Sequence, residues 1–104
     1  MTDAPSPSKS SITITWNPNR EQYEVRFTAP EESFKRIIKE FKKVDFEHRS
    51  YNGGSHVWSF SPEVLETITG IAVSWFHNAQ LVEGEKTVNL HTGRAVSQLT
   101  LFGV

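Results

Sequence analysis

The 104-residue sequence contains no cysteine. That absence excludes a disulfide framework, a thiolate metal site and a cysteine nucleophile, and nothing else points to an oxidising compartment. A large net charge is missing too: 11 Lys and Arg stand against 12 Asp and Glu, a formal charge of -1. The bulk attraction of a strongly basic chain for phosphates is therefore absent, so any nucleic-acid binding has to come from local segregation of charge. Long apolar runs are also lacking. The stretch Met1-Thr2-Asp3-Ala4-Pro5-Ser6-Pro7-Ser8-Lys9-Ser10 has neither the apolar centre of a signal peptide nor the length of a membrane span. Its Pro and Ser content reads as a disordered tail over 1–10, with the cytoplasm as the expected compartment.

Catalytic chemistry is equally thin. His48, His56, His77 and His91 form no pair at helical i, i+4 spacing, and no carboxylate completes a metal set by sequence spacing. Asp45, His48 and Ser50, or Ser55 and His56, are fragments without an orienting group or oxyanion donors. The expectation is a non-enzymatic protein with no metal and no cofactor.

What is present fits one domain: 37% of residues are hydrophobic and 22% charged. Ile12, Ile14 and Trp16 alternate with polar residues, Asn17-Pro18-Asn19-Arg20 supplies a turn, and Tyr23, Val25 and Phe27 alternate again. This pattern predicts a β-hairpin with one buried face. Phe34, Ile37, Ile38, Phe41 and Val44 then recur at helical spacing, and Thr28 stands three residues before Glu31 as in a capping box. A helix is expected over 30–43. A strand-like segment ends at Tyr51, Asn52-Gly53-Gly54-Ser55 offers turn chemistry, and His56-Val57-Trp58-Ser59-Phe60 reads as the next strand. Ser61 and Pro62 open a second helix carrying Leu65, Ile68, Ala72 and Trp75 and ending near His77.

The expected fold is thus an α+β domain over 11–81 in β-β-α-β-β-α order, with an antiparallel-rich sheet and both helices on one face. The two halves share a layout but little sequence. From Val82 onward Gly84, Gly93 and polar residues replace the periodic pattern, which reads as a flexible tail over 82–104 with one short strand near 87–90.

Near the chain end stands Gln98-Leu99-Thr100-Leu101-Phe102. It resembles the pentapeptide by which bacterial polymerases and repair proteins bind the β sliding clamp, matching the common form at four of five positions. The resemblance implies a DNA polymerase sliding clamp as partner. Gln98 would bond at the pocket rim, Leu99 would pack beside it, and Leu101 and Phe102 would fill the hydrophobic cleft. Docking there serves recruitment or, by occupying the pocket, inhibition. The competing structural reading makes 97–102 a last strand at the sheet edge.

Over 23–71 the order of features, with Phe27, Phe34, Ile38, Phe41, Trp58 and Phe60, resembles the HARP module found beside annealing helicases. It departs in 51–55, which is Gly-rich where basic residues stand in that module. The implied partner is DNA, single-stranded or junction. Independently, the first helix sets Lys35, Arg36, Lys39, Lys42 and Lys43 toward solvent, and His48 and Arg49 follow. This strip predicts phosphate contact, with Tyr51, Trp58 or Tyr23 stacking on unpaired bases if the helix-free sheet face exposes them. The opposing expectation is a solvated helix face and core aromatics, which leaves a protein-interaction module.

Overall fold

The structure, a computed structural model, describes residues 10–95. Strands β1 (Ser11–Asn17) and β2 (Gln22–Thr28) form the first hairpin, and helix α1 (Glu31–Lys42) follows. A single 3-10 turn (Phe46–His48) leads into β3 (Arg49–Asn52) and β4 (Val57–Phe60). A second 3-10 turn (Pro62–Val64) opens α2 (Leu65–Trp75), and β5 (Asn78–Glu83), β6 (Lys86–Asn89) and β7 (Arg94–Ala95) complete the chain as described. All strands join one seven-stranded sheet in the order β3-β4-β2-β1-β5-β6-β7. Every pairing is antiparallel except β1 with β5, which run parallel.

The alternation in β1 and β2 decides which face is covered. Ile12 and Ile14 lie opposite Phe27 and Val25, and the same row continues through Trp58 and Phe60 on β4 and Ala79 on β5. Ile37 and Phe41 from α1 and Ile68, Ile71 and Ala72 from α2 pack into the same cluster, so both helices cover this face. The other face carries Thr13, Thr15, Glu24, Arg26, Ser50 and Ser59 and, among the described residues, bears no helix, because period-2 alternation sends these polar residues outward. Phe41 is fully buried; its ring meets Phe27, Trp58 and Phe60 at centroid separations of 5.5, 5.3 and 5.4 Å.

The α+β class, the two hairpins and the two helices match the sequence pattern, and the sheet is antiparallel-rich. Beyond Leu81, where the periodic pattern ends the domain, the structure differs. In place of a tail from Val82, β5 inserts beside β1 in the middle of the sheet and β6 and β7 extend it to Ala95. The short strand near 87–90 is found as β6, shifted by one residue. The capping box is also replaced. Pro30 caps α1 through its carbonyl, which accepts from Ser33 and Phe34 N–H at 3.0 and 2.9 Å, while the Thr28 hydroxyl lies 3.2 Å from Ser11 Oγ. The pentapeptide 98–102 and the tail 1–9 lie outside the described residues.

Three of the hairpin loops share one construction. Asn17, Asn52 and Asn89 each end a strand, and each side-chain carbonyl accepts N–H groups two and three residues on. Each loop then closes on a residue at positive φ: Glu21 at 54°, His56 at 58° and Gly93 at 73°. Only the last is the residue type for which that conformation carries no steric penalty.

Candidate functional site

Where α1 passes the β3–β4 hairpin the covering is incomplete, and a cleft of about 490 Å³ opens. Its wall on α1 is Phe34, Ile38 and Lys42, one helical stripe at i, i+4, i+8. The sheet supplies Phe27, Arg49, Tyr51 and Trp58, and the β3–β4 loop supplies His56. The register explains the grouping: Tyr51 faces Trp58 directly across β3 and β4, with ring centroids 4.9 Å apart. On the other side Phe27 stacks on Phe34 at 5.2 Å and 29°. Trp58 is only 5% exposed and forms the floor, whereas Phe34 and Tyr51 are 42% and 48% exposed and form the rim.

The polar groups around this apolar floor are cationic or neutral; among the described lining residues none is a carboxylate. Arg49 is held by a 2.7 Å bond from Nε to the Val44 carbonyl, which fixes the base of its guanidinium. The Tyr51 hydroxyl lies 3.0 Å from His56 Nδ1, tying the rim to the loop.

The basic strip is exposed as the helical period requires: Lys35, Arg36, Lys39, Lys42 and Lys43 all face solvent. Its members are not equivalent. Lys42 lines the cleft, and Lys39 and Lys35 follow next around the helix, while Lys43 pairs with Glu40 at 3.1 Å on the far side with Arg36. The stacking platform stands corrected. Tyr23 and Trp58 are buried at 7% and 5% exposure and face the helices, so the helix-free face offers neither ring; Tyr51 is exposed, but on the helix side. Phe27, Phe34, Ile38 and His56 join Lys42, Arg49, Tyr51 and Trp58, a grouping that depends on pairing register and helix packing.

Tyr23 has a structural task instead. Its hydroxyl donates to Glu83 Oε2 at 2.7 Å, joining β2 to the end of β5, and its ring lies 4.8 Å from that of Trp16. Burial, reinforced by the hydrogen bond and the negative charge of Glu83, pushes the phenol up to about 12.

The histidines lie apart. His48 Nδ1 is 3.4 Å from Glu63 Oε1 without the alignment of a hydrogen bond, and His91 Nε2 meets the Phe76 carbonyl at 2.8 Å. Among the described residues no three of His, Asp and Glu gather as a metal set, and no helix is long and apolar enough to cross a membrane. No known protein family, curated protein or solved structure matches the chain.

Proposed function

We propose that this chain is an accessory protein of DNA replication or repair that docks on a bacterial-type sliding clamp through Gln98, Leu99, Leu101 and Phe102 and brings the basic strip of its first helix to the adjacent DNA. The observation that carries the reading is the pentapeptide Gln98-Leu99-Thr100-Leu101-Phe102 itself. The fold supplies a compatible layout. The last described strand, β7, is one edge of the sheet, and β3, beside the cleft, is the other. Seven strands at about 4.8 Å spacing separate those edges by roughly 29 Å. A clamp held at one edge leaves α1 and the cleft clear at the other.

A short linear segment gives part of its contact energy to being ordered, so docking through 98–102 alone is weak. A second contact from Lys35, Lys39 and Lys42 to phosphates raises the joint affinity through effective concentration. A competing reading makes 97–102 a last strand at the sheet edge and leaves a nucleic-acid-binding domain without clamp affinity.

Calorimetric titration of purified bacterial β clamp separates the two. Saturable binding that disappears in a Gln98→Ala, Leu101→Ala, Phe102→Ala variant with unchanged circular dichroism is the expected result. A silent titration by the intact chain refutes clamp docking, and a variant that unfolds makes 98–102 part of the fold.

A further inference from the structure

The cleft has a size and lining that general phosphate attraction by α1 does not explain. Its volume, about 490 Å³, lies within the range of small-molecule sites. Two rings on its rim, Phe34 and Tyr51, keep close to half their surface in water although burying an aromatic ring is favourable. Helix α1 buries Ile37 and Phe41 completely while leaving Phe34 and Ile38 on the open side. An occupant with flat apolar faces fits that gap.

Charge narrows the choice. Lys42 and Arg49 border the rings with no carboxylate among the described lining residues, and Lys39 and Lys35 continue the positive line along α1. From Lys35 to Lys42 the helix rises roughly 10 Å, enough to follow a strand backbone past more than one phosphate. A ligand that is flat, aromatic and regularly anionic matches both features, and unpaired nucleic acid has that chemistry. Duplex does not, because its bases present their faces to each other.

His56 contributes to the shape. Its positive φ is a strained conformation for a residue with a side chain, but Glu21 adopts nearly the same φ without lining this cleft, so strain alone does not mark the position. The placement of the ring does: it is bonded to the Tyr51 hydroxyl at the cleft mouth and holds that rim ring in place.

We infer that the cleft between α1 and the β3–β4 hairpin is a stacking site for an unpaired nucleobase, with Phe34 and Tyr51 against the base and Lys42 and Arg49 on the flanking phosphates. This rests on the nucleic-acid half of the proposed function and is independent of 98–102.

Fluorescence anisotropy of the full chain with a labelled thymidine 12-mer, a duplex of equal length and a 12-mer carrying abasic sites tests it. The single strand should bind more tightly than the duplex, and abasic replacement should lower affinity about tenfold or more. Phe34→Ala with Tyr51→Ala should reproduce that loss on the single strand and leave duplex binding unchanged. Lys35→Glu with Lys39→Glu should weaken both. Equal binding of the normal and abasic strands overturns the cleft assignment on the unaltered protein, whether or not the double variant folds. If charge reversal still weakens binding in that case, the phosphate-binding face stands without the base site. Binding of none of the oligonucleotides removes both.

Discussion

At one end of the sheet, β3 and β4 set Tyr51, Trp58 and His56 against α1 around an open cleft, and large rings do most of the packing. At the other end, β5, β6 and β7 carry no aromatic ring, and main-chain bonds join them. Ser10 closes the start of β5 by accepting from Asn78 N–H and, through Oγ, from His77 N–H, while Leu90 N–H reaches Ala79 O at 2.8 Å. The difference teaches where side chains are free to serve something other than the core. The β5–β7 end is stitched by backbone that has to be paired wherever it is buried. The cleft end keeps half-exposed rings that the core does not consume.

The strongest way to break that comparison is at the centre both ends share. Phe41→Ala removes the ring that joins Phe27, Trp58 and Phe60 and should lower unfolding free energy by about 3–5 kcal/mol, read from urea denaturation. A loss under about 1 kcal/mol would mean that the rings do not form one packed unit.

Tyr23→Phe sharpens the comparison at the β5 end. Loss of the bond to Glu83 should lower stability by about 1 kcal/mol near neutral pH, since the freed Glu83 is exposed and takes up water. The pH profile is more specific. In the unfolded chain the phenol releases its proton near pH 10, while the native state holds it to about 12. Through that window the native state binds more protons, so its stability falls as pH rises. The contribution is complete below pH 10, and Tyr23→Phe should remove this share of the alkaline loss. A profile unchanged by the substitution would show that neither burial nor the Glu83 bond holds the phenol proton.

The three matched loops give the smallest effects. Gly93→Ala places a side chain at φ 73° with no neighbouring atom to clash, so the loss should be backbone strain alone, about 1 kcal/mol. Glu21→Gly relieves the same strain and should raise stability by about 0.5 kcal/mol after the added freedom of the unfolded chain is counted. His56→Gly should gain less, because it gives up the Tyr51 contact. Thermal melts of the three variants order them, and a destabilising Glu21→Gly would show that the loop is not strained there.

The same division explains what the sequence made legible. β1, β2, β4, α1 and α2 each carry large apolar residues at one period, and the face of Ile12, Ile14, Val25, Trp58 and Phe60 follows from alternation. β5 was hidden because its inward residues include Ala79, too small to register as a pattern, and because its partner β1 is parallel and distant in sequence. The basic strip on α1 was readable as a helical stripe. The cleft was not, since Phe34, Tyr51 and His56 meet only once the register of β3 with β4 and the seat of α1 are fixed. Trp58 looked the same as a core residue and as a stacking residue in the sequence; its burial with one side on the cleft makes it the floor.

The most direct test of the account titrates bacterial β clamp with the intact chain, with the Gln98→Ala, Leu101→Ala, Phe102→Ala variant, and with Phe34→Ala, Tyr51→Ala. Saturable clamp binding is expected of the intact chain and the cleft variant, and none of the tail variant, which keeps its fold and its affinity for a single strand. No clamp binding by the intact chain, or a tail variant that loses fold and single-strand binding together, would contradict it.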